Sequence, residues 1–231
     1  MADPEAVGQP PADSIADWLA SRAGEYGGPA RRQIVDAIRQ LGAVDRATYA
    51  AIATTPTPAL DEPLRRLSRA ADKSRLWLAI AAGLAVGGGT AGRRAALCGT
   101  LAIGATSALV NLGIKPVSFR TRPDRVQAGV PGRRQVEMPG STSFPSGHSA
   151  SAFAFATAIS RDEPWVALGA NFLAAAVAYS RVHTGVHYPS DTVTGSLIGA
   201  STGLAVAGLL DRHAGAGGGS GPAAAGTVDV P

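Results

Sequence analysis

The stretch SRVHTGVHYPSD, residues 180–191, stands between two apolar stretches of the chain. It contains His183, His187 and Asp191 at intervals of four residues. On one continuous helix these three side chains would lie on one face, where they could ligate a metal ion. The residues between and around them decide between that metal interpretation and a loop that joins two helices.

Glycine and proline argue against a continuous helix here. Gly185 is typical of a turn, and Pro189 has no N–H and disfavours helical geometry at the residue before it. A metal site would also want a further ligand and would leave the neighbouring basic residues without a role. We therefore predict a loop between two helices. If Pro189 begins the second helix, Asp191 lies in its first turn and can reach back to His187.

Five uncharged apolar stretches make up most of the middle of the chain, and several approach the roughly 20 residues that a helix needs to cross a bilayer. They are rich in small residues, as closely packed membrane helices are, and Gly195, Gly199 and Gly203 form a repeated small face. We predict an all-α, membrane-embedded bundle of about five transmembrane helices, or six if the N-terminal region adds one. An alanine-rich soluble bundle is the alternative. The stretches are residues 76–92, 95–114, 149–160, 164–180 and 192–210.

The 231-residue chain has room for one domain with tails. We predict a flexible N-terminus with short amphipathic helices over residues 1–60, and a transmembrane domain over residues 61–213. Residues 214–231 are rich in glycine and alanine and predict a disordered tail. The first thirty residues show no recognisable cleavable signal peptide, because no basic start is followed by an apolar region.

Composition excludes several other classes of protein. The net charge of +4 would suit an anionic partner, but aromatic residues make up only 5% of the chain and no lysine-rich run occurs. Nucleic acid is therefore not a predicted partner. The single cysteine, Cys98, excludes an intrachain disulfide and a multi-cysteine metal cage.

The polar connections between the apolar stretches decide where a site can form. Successive membrane helices alternate in direction, so the long loop at residues 115–144 and the stretch at 180–191 share one face of the bundle. The short connections GRR at residues 92–94 and SRDEP at 160–164 lie at the opposite face. The residues with unusual chemistry all lie at the first of these faces.

Two groups in this region suit a phosphate. Lys115 and Arg122 have six residues between them in KPVSFRTRPDR, and a guanidinium and an ammonium held together can bind phosphate oxygens. Basic residues that anchor a membrane helix at the interface are the alternative for this group. In SFPSGHSAS, Ser146 is a good helix N-cap, Gly147 lets a ligand approach the backbone, and His148 is a candidate proton donor. The free N–H groups of that helix would favour an anion.

The stretch at 180–191 supplies the third group. Arg181 follows an apolar stretch, and His187 and Asp191 come after it. A carboxylate that accepts a hydrogen bond from one imidazole nitrogen leaves the other nitrogen as a nucleophile. Beside the two basic groups, these residues call for a phosphate rather than a metal cation.

Together the three groups resemble the signature of the type 2 phosphatidic acid phosphatase superfamily, which also includes vanadium haloperoxidases and bacterial nonspecific acid phosphatases. In this chain the signature reads KPVSFRTRP, PSGH and SRVHTGVHYPSD, in that order, and covers residues 115–191. Each motif alone is weak or moderate evidence, but the ordered set is highly specific. The resemblance implies the helical membrane bundle of the lipid phosphatases and a reaction that needs no cofactor and no metal.

The resemblance also implies a role for each matching residue. His187 would attack phosphorus and form a phosphohistidine, oriented by Asp191. His148 would protonate the leaving oxygen and later help a water molecule to hydrolyse the intermediate. His183 falls among variable positions and would have no catalytic role. The groups that would hold the phosphate oxygens are Lys115, Arg122, Ser146, the backbone of Gly147 and Arg181.

The leading hypothesis is therefore an integral phosphatase of a bacterial cell membrane that hydrolyses a lipid phosphomonoester or pyrophosphate. A vanadate-dependent haloperoxidase is one alternative, since the same residues can hold vanadate, although the chain is small for one. A non-catalytic membrane protein that binds a phosphorylated lipid is another. The intact set of His148, His187 and Asp191 argues against it, because a binding protein would need only the basic residues.

Overall fold

The structure, a computed structural model, describes residues 29–217. Within that range the chain forms seven α-helices and no strand, which confirms the all-α prediction. The predicted N-terminal tail and the amphipathic piece around Trp18 lie outside the described residues, as does the tail from residue 218 onward. The helices are α1 (Pro29–Thr54), α2 (Pro58–Ala70), α3 (Arg75–Gly87), α4 (Gly89–Ala108), α5 (Gly147–Ala158), α6 (Pro164–His183) and α7 (Pro189–Gly217).

Helix α5 lies at the centre of the bundle and packs against α4, α6 and α7. The predicted small face of α7 makes the closest of these contacts. A Cβ atom on Gly195, Gly199 or Gly203 would collide with the carbonyl oxygens of Ser146, Ala150 and Ala154 of α5, respectively. Only glycine allows the two backbones to approach this closely.

The bundle core is built from small residues around a few large ones. Trp77 of α3 and Phe155 of α5 are almost completely buried, and their ring centroids lie 5.7 Å apart. Gly99 of α4 makes room for the Phe155 ring, which a Cβ atom there would meet at 2.6 Å. Large apolar side chains instead point outward, as expected of a surface that faces lipid. They include Leu97, Leu101, Leu168, Phe172, Leu197 and Leu204.

Three helical segments are long and apolar enough to cross a bilayer: Gly89–Val117, Pro164–His183 and Pro189–His213. The first exists because α4 continues through a π-helical turn and a 3₁₀ turn as far as Val117. The other two predicted spans form the shorter helices α3, of 13 residues, and α5, of 12 residues. Twelve residues of helix span about 18 Å, less than the hydrocarbon core of about 30 Å. The number of crossings therefore stays a prediction.

Two boundaries differ from the sequence-based predictions. The break between the first two apolar stretches lies at Gly88, not at residues 92–94, and Arg94 is inside α4, where it pairs with Asp162 and Asp211. A Cβ atom on Gly92 would strike the Leu84 carbonyl, so the glycines allow α3 and α4 to pack tightly at this turn. Residues 29–54 form one helix rather than several short ones, and it packs on α6 and α7.

Candidate functional site

The ends of four helices meet at one end of the bundle and bring the three sequence groups together. Lys115 lies in the 3₁₀ turn that ends the first long segment, and Ser146 caps the N-terminus of α5. Arg181 lies in the last turn of α6, and Asp191 lies in the first turn of α7. The Ser146 N–H donates to the Asp191 carbonyl oxygen at 3.0 Å, which joins the starts of α5 and α7.

The loop after α6 is closed by a turn that requires glycine. Gly185 has φ +75°, a left-handed conformation that few side chains adopt. A Cβ atom there would also lie 2.7 Å from the Arg125 side chain. The backbone N–H groups of Val186 and His187 then donate to the Arg181 carbonyl at 3.1 and 3.2 Å. The predicted loop is present, and the three residues at intervals of four do not share a helix face.

The two nitrogens of His187 face different partners. Nε2 lies 3.2 Å from an Arg122 terminal nitrogen, and Nδ1 lies 3.5 Å from Asp191 Oδ2. The second separation is longer than an ordinary hydrogen bond. Burial of the ring lowers the pKa of His187 to about 4, although the Asp191 carboxylate opposes that shift. The imidazole is therefore neutral near pH 7, with the Nε2 lone pair directed at a guanidinium.

Asp191 is fully buried, and its carboxylate is satisfied on both oxygens. Oδ1 accepts from Arg120 at 2.7 Å. Oδ2 accepts from the Tyr188 N–H at 2.9 Å and from the Ser143 hydroxyl. A buried carboxylate needs such partners to remain ionised. This arrangement holds Asp191 rigidly beneath the ring of His187.

Lys115 and Arg122 make contacts that orient them without neutralising them. Lys115 Nζ donates to the Ser141 hydroxyl at 3.2 Å. Arg122 donates to the carbonyl oxygens of Ser141 at 2.9 Å, Val186 at 2.8 Å and Thr142 at 3.3 Å. No carboxylate of the described chain lies within ion-pair distance of either cation. The region around Lys115, Arg122, Arg181 and His187, called the phosphate pocket below, therefore carries an excess of positive charge that suits a phosphate dianion.

The start of α5 borders the same pocket. Ser146 accepts a hydrogen bond from the Ser149 N–H at 3.4 Å, so its predicted role as N-cap is confirmed. A Cβ atom on Gly147 would lie 3.8 Å from Lys115 Nζ, which puts the backbone at Gly147 beside the ammonium group. Free N–H groups of a helix N-terminus next to a cation form a ready anion site.

Asp72 was not predicted as a site residue, although it contacts two of them. It lies in the 3₁₀ turn Asp72–Ser74 between α2 and α3. Its Oδ1 atom is 2.8 Å from His148 Nε2 and 3.7 Å from an Arg181 terminal nitrogen. Arg181, itself buried, also donates to the Ser68 hydroxyl at 2.6 Å. No sequence pattern marks Asp72, because it approaches the site only through the packing of α2 on α6 and of its own turn on α5.

Arg120 and Asp45 form a second connection that was not predicted. Arg120 bridges the carboxylates of Asp191 and Asp45, and its guanidinium carbon lies 4.4 Å from the centroid of the Tyr188 ring. Asp45, on α1, also accepts from the Ser190 N–H at 2.8 Å and the Ser190 hydroxyl at 2.7 Å. Arg120 lies inside the motif KPVSFRTRP, so its proximity to Lys115 was the only available signal. No such signal in the sequence points to Asp45.

His183 faces away from the phosphate pocket into a buried polar cluster. Its Nε2 atom lies 2.9 Å from the Thr57 hydroxyl and 3.2 Å from Asp61 Oδ1. Asp61 also pairs with buried Arg134 at 2.6 Å. Burial opposes ionisation of Asp61, but hydrogen bonds from arginines and Thr57 outweigh it and lower its pKa to about 2. The position of His183 fits the prediction that it has no catalytic role.

Comparisons with known proteins agree with this fold. A curated decaprenylphosphoryl-5-phosphoribose phosphatase of Mycolicibacterium smegmatis is 36% identical over 165 residues, which cover 69% of this chain and 83% of that protein. The crystal structure of a transmembrane PAP2-type phosphatidylglycerolphosphate phosphatase from Bacillus subtilis is similar, with a TM-score of 0.58 and 24% identity over 86% of this chain and 93% of that one. LpxE of Aquifex aeolicus has a TM-score of 0.58 and 22% identity, over 71% of this chain and 94% of its own.

The two solved structures share the fold at identities too low to carry more than that. The family evidence comes from the curated relative and from a family model, that of the PAP2 superfamily, which matches residues 95–213. That range contains all three motifs and excludes α1, α2 and α3. The chain belongs to the PAP2 superfamily.

Proposed function

We propose that this protein is a membrane phosphatase that hydrolyses a lipid-linked phosphomonoester or pyrophosphate through a phosphohistidine, without a metal ion. The observation that carries the proposal is the pair of contacts made by His187. Its Nε2 atom faces Arg122 at 3.2 Å, while its Nδ1 atom faces Asp191 at 3.5 Å. A neutral imidazole held in this way presents a nucleophilic lone pair to an anion bound by the guanidinium.

In the first step the Nε2 atom of His187 attacks phosphorus, and the bond from phosphorus to the leaving oxygen breaks. His148 delivers a proton to that oxygen, so the alcohol or phosphate leaves in its protonated form. In the second step His148 takes a proton from a water molecule that attacks the phosphohistidine. The P–N bond then breaks, which returns neutral His187 and releases inorganic phosphate.

The cationic pocket stabilises the charge that moves onto the non-bridging oxygens. Lys115 and Arg122 have no carboxylate partner among the described residues, and Arg181 lies near enough to both to interact with them electrostatically. The Gly147 N–H and the Ser146 region add donors at the start of α5. Charges fixed in advance need little reorganisation as the transition state forms, which is the main electrostatic contribution to phosphoryl transfer.

The position of the pocket supports a lipid substrate. It stands at the ends of helices whose outer surfaces expose large apolar side chains, so a phosphate headgroup can enter it while its hydrocarbon chains stay in the bilayer. The Mycolicibacterium relative is named for a decaprenyl-linked phosphoribose phosphate. We therefore include a polyprenyl-linked sugar phosphate in the substrate class, beside phosphatidate and polyprenyl pyrophosphate. Like the relatives, all of them bacterial, the protein would act in a bacterial cell membrane.

The test is phosphate release in detergent from these three lipids, with a chelator present. We expect turnover of at least one lipid without added metal. We also expect an acid-labile, alkali-stable phosphoryl group on the protein after a rapid quench, and its absence in His187→Ala. Full dependence on a divalent metal, or unchanged turnover in His187→Ala, would contradict the mechanism. Lipid binding with no turnover would indicate a binding protein, and bromination with vanadate and peroxide would indicate a haloperoxidase.

A further inference from the structure

The carboxylate of Asp72 contacts the proposed proton donor from outside the family motifs. Oδ1 lies 2.8 Å from His148 Nε2, the distance of a charge-assisted hydrogen bond. The Asp72 side chain is 46% exposed, whereas that of His148 is 22% exposed, so Asp72 lies on the more exposed side of the contact. The hydrogen bond with His148 lowers the pKa of Asp72, which keeps the carboxylate ionised.

The backbone directly after Asp72 is held in an unfavourable conformation. Lys73 and Ser74, the next two residues, have φ values of 52° and 58°. Neither is glycine, and left-handed conformations of such residues persist only where the surrounding structure imposes them. The turn directly after Asp72 thus carries backbone strain in the structure where Asp72 contacts His148. This strain distinguishes Asp72 from a surface residue that meets His148 by chance.

We propose that Asp72 is the positioning residue for His148, accepting a hydrogen bond from Nε2–H so that Nδ1 delivers the proton to the leaving oxygen. This role rests on the proposed function. The hydrogen bond to Asp72 orients the charged His148 ring before proton transfer. After the transfer it fixes the tautomer of the neutral ring. Asp72 stays ionised throughout, and only the proton on Nδ1 moves.

The charges of Asp72 and His148 distinguish the positioning role from a simpler alternative. Because Asp72 also lies 3.7 Å from Arg181, its carboxylate could merely occupy the place of the substrate phosphate. A carboxylate left beside a phosphate dianion is repelled, whereas a carboxylate bonded to an imidazolium forms a pair with no net charge. Asp72 can therefore remain with His148 when phosphate binds, on the side of the leaving group.

The experiment compares two substrates that differ in their need for a proton. Octyl phosphate expels a basic alkoxide and needs a general acid, whereas p-nitrophenyl phosphate expels a weakly basic phenolate and needs little assistance. We expect Asp72→Asn to lower kcat/KM for octyl phosphate about 100-fold, at the low end of the usual general-acid contribution, and for p-nitrophenyl phosphate less than about 5-fold. The ratio of the two losses is unaffected by a fraction of unfolded protein.

The control is Glu62→Gln, which removes a carboxylate from the exposed side of α2, where Glu62 pairs with Arg65 and Arg66. It should leave both substrates unchanged. Equal losses on the two substrates in Asp72→Asn would overturn the positioning role alone. A gain in kcat/KM or tighter inhibition by inorganic phosphate in Asp72→Asn would also overturn the positioning role, because these results are expected if Asp72 only fills an empty phosphate site. A wild-type protein inactive on every phosphomonoester and every pyrophosphate would overturn the proposed function and this role with it.

Discussion

At the scale of single residues, His183 and His187 are both buried within residues 180–191 but have different contact partners. His187 contacts Arg122 and Asp191, whereas His183 contacts Thr57 and Asp61 on the other side of the same loop. Chemical type and burial are the same for both rings. The difference in partners alone therefore predicts which of them acts in the reaction.

We predict that His187→Gln lowers phosphate release by at least about 1,000-fold, because the phosphohistidine cannot form. The matched change His183→Gln should leave kcat within about 5-fold. It should instead lower the apparent Tm in detergent by several degrees, since a buried hydrogen-bonded group is replaced by one that fits less well. Similar losses of activity in the two variants at temperatures well below their Tm would contradict this assignment.

The pH dependence follows from the protonation of His187. The proposed nucleophile is the neutral ring, which exists above its pKa, and burial lowers that pKa to about 4. We predict that single-turnover formation of the phosphohistidine, corrected for ionisation of the substrate, persists at pH 5 and falls with a midpoint near 4. An exposed histidine would give a midpoint near 6.5. A measured midpoint between 6 and 7 would show that the ring is not held in the neutral state.

The same shift affects stability, and its sign can be worked out. Between pH 6.5 and 4 the unfolded chain binds a proton at this histidine while the folded chain does not. The contribution of His187 to the free energy of unfolding therefore declines as the pH falls through this window. The decline in apparent Tm over that range should be smaller in His187→Gln than in the wild type.

At the scale of helices, the contact between α5 and α7 positions two of the proposed catalytic groups. The first turn of α5 contains His148, and the first turn of α7 contains Asp191. Gly199 lies about two turns further along α7, where a Cβ atom would collide with the Ala150 carbonyl. Backbone atoms cannot rotate away as a side chain can, so the helices would have to separate.

We predict that Gly199→Ala lowers the free energy of unfolding by about 1–3 kcal/mol, the usual cost of overpacking, and lowers kcat as well. Gly208→Ala is the matched control on the same helix, because a Cβ atom there would meet nothing within 4 Å. It should be neutral or slightly stabilising, since alanine favours helix over glycine. Thermal unfolding and phosphate release of the two variants, measured in one detergent, test the prediction. Equal behaviour would mean that the contact is not tight.

The sequence predicted this part of the molecule well because the relevant signals are local. Small residues at every fourth position predict a close helix contact, and the motif residues fall at helix ends that alternation of direction brings to one face.

The predicted turn at residues 92–94 is wrong because charged residues do not always mark a loop. Arg94 is instead neutralised within the bundle by Asp162 and Asp211. Asp72 and Asp45 could not be predicted, since each reaches the site only through tertiary packing.

At the scale of the whole molecule, the candidate site contacts helices outside the range that the family model matches. That range begins at residue 95. Before it, Asp45 of α1 binds Ser190 and Arg120, Asp61 of α2 binds Arg134, and Asp72 binds His148. Each is an acidic residue that meets a partner in the matched region. The N-terminal helices thus supply negative charge to a site whose own residues are mostly basic.

Asp45 offers the clearest test of whether the site depends on these contacts. Its side chain is 7% exposed and accepts two hydrogen bonds from Ser190, next to the catalytic carboxylate, while pairing with Arg120. Asp45→Asn should cost roughly 2–4 kcal/mol, because Arg120 loses one of its two carboxylate partners in a largely buried place. It should also lower kcat about 10-fold as the start of α7 loosens.

The control is Asp36→Asn on the same helix. That side chain is 65% exposed and lies 3.8 Å from Arg39, a surface pair whose removal should change stability by less than about 0.5 kcal/mol. Both variants lose one negative charge from α1, so they share any effect of net charge and differ only in what the carboxylate contacts. If α1 were merely appended to the bundle, the two variants would have equal apparent Tm and equal kcat. A loss confined to Asp45→Asn would instead make α1 part of the catalytic unit.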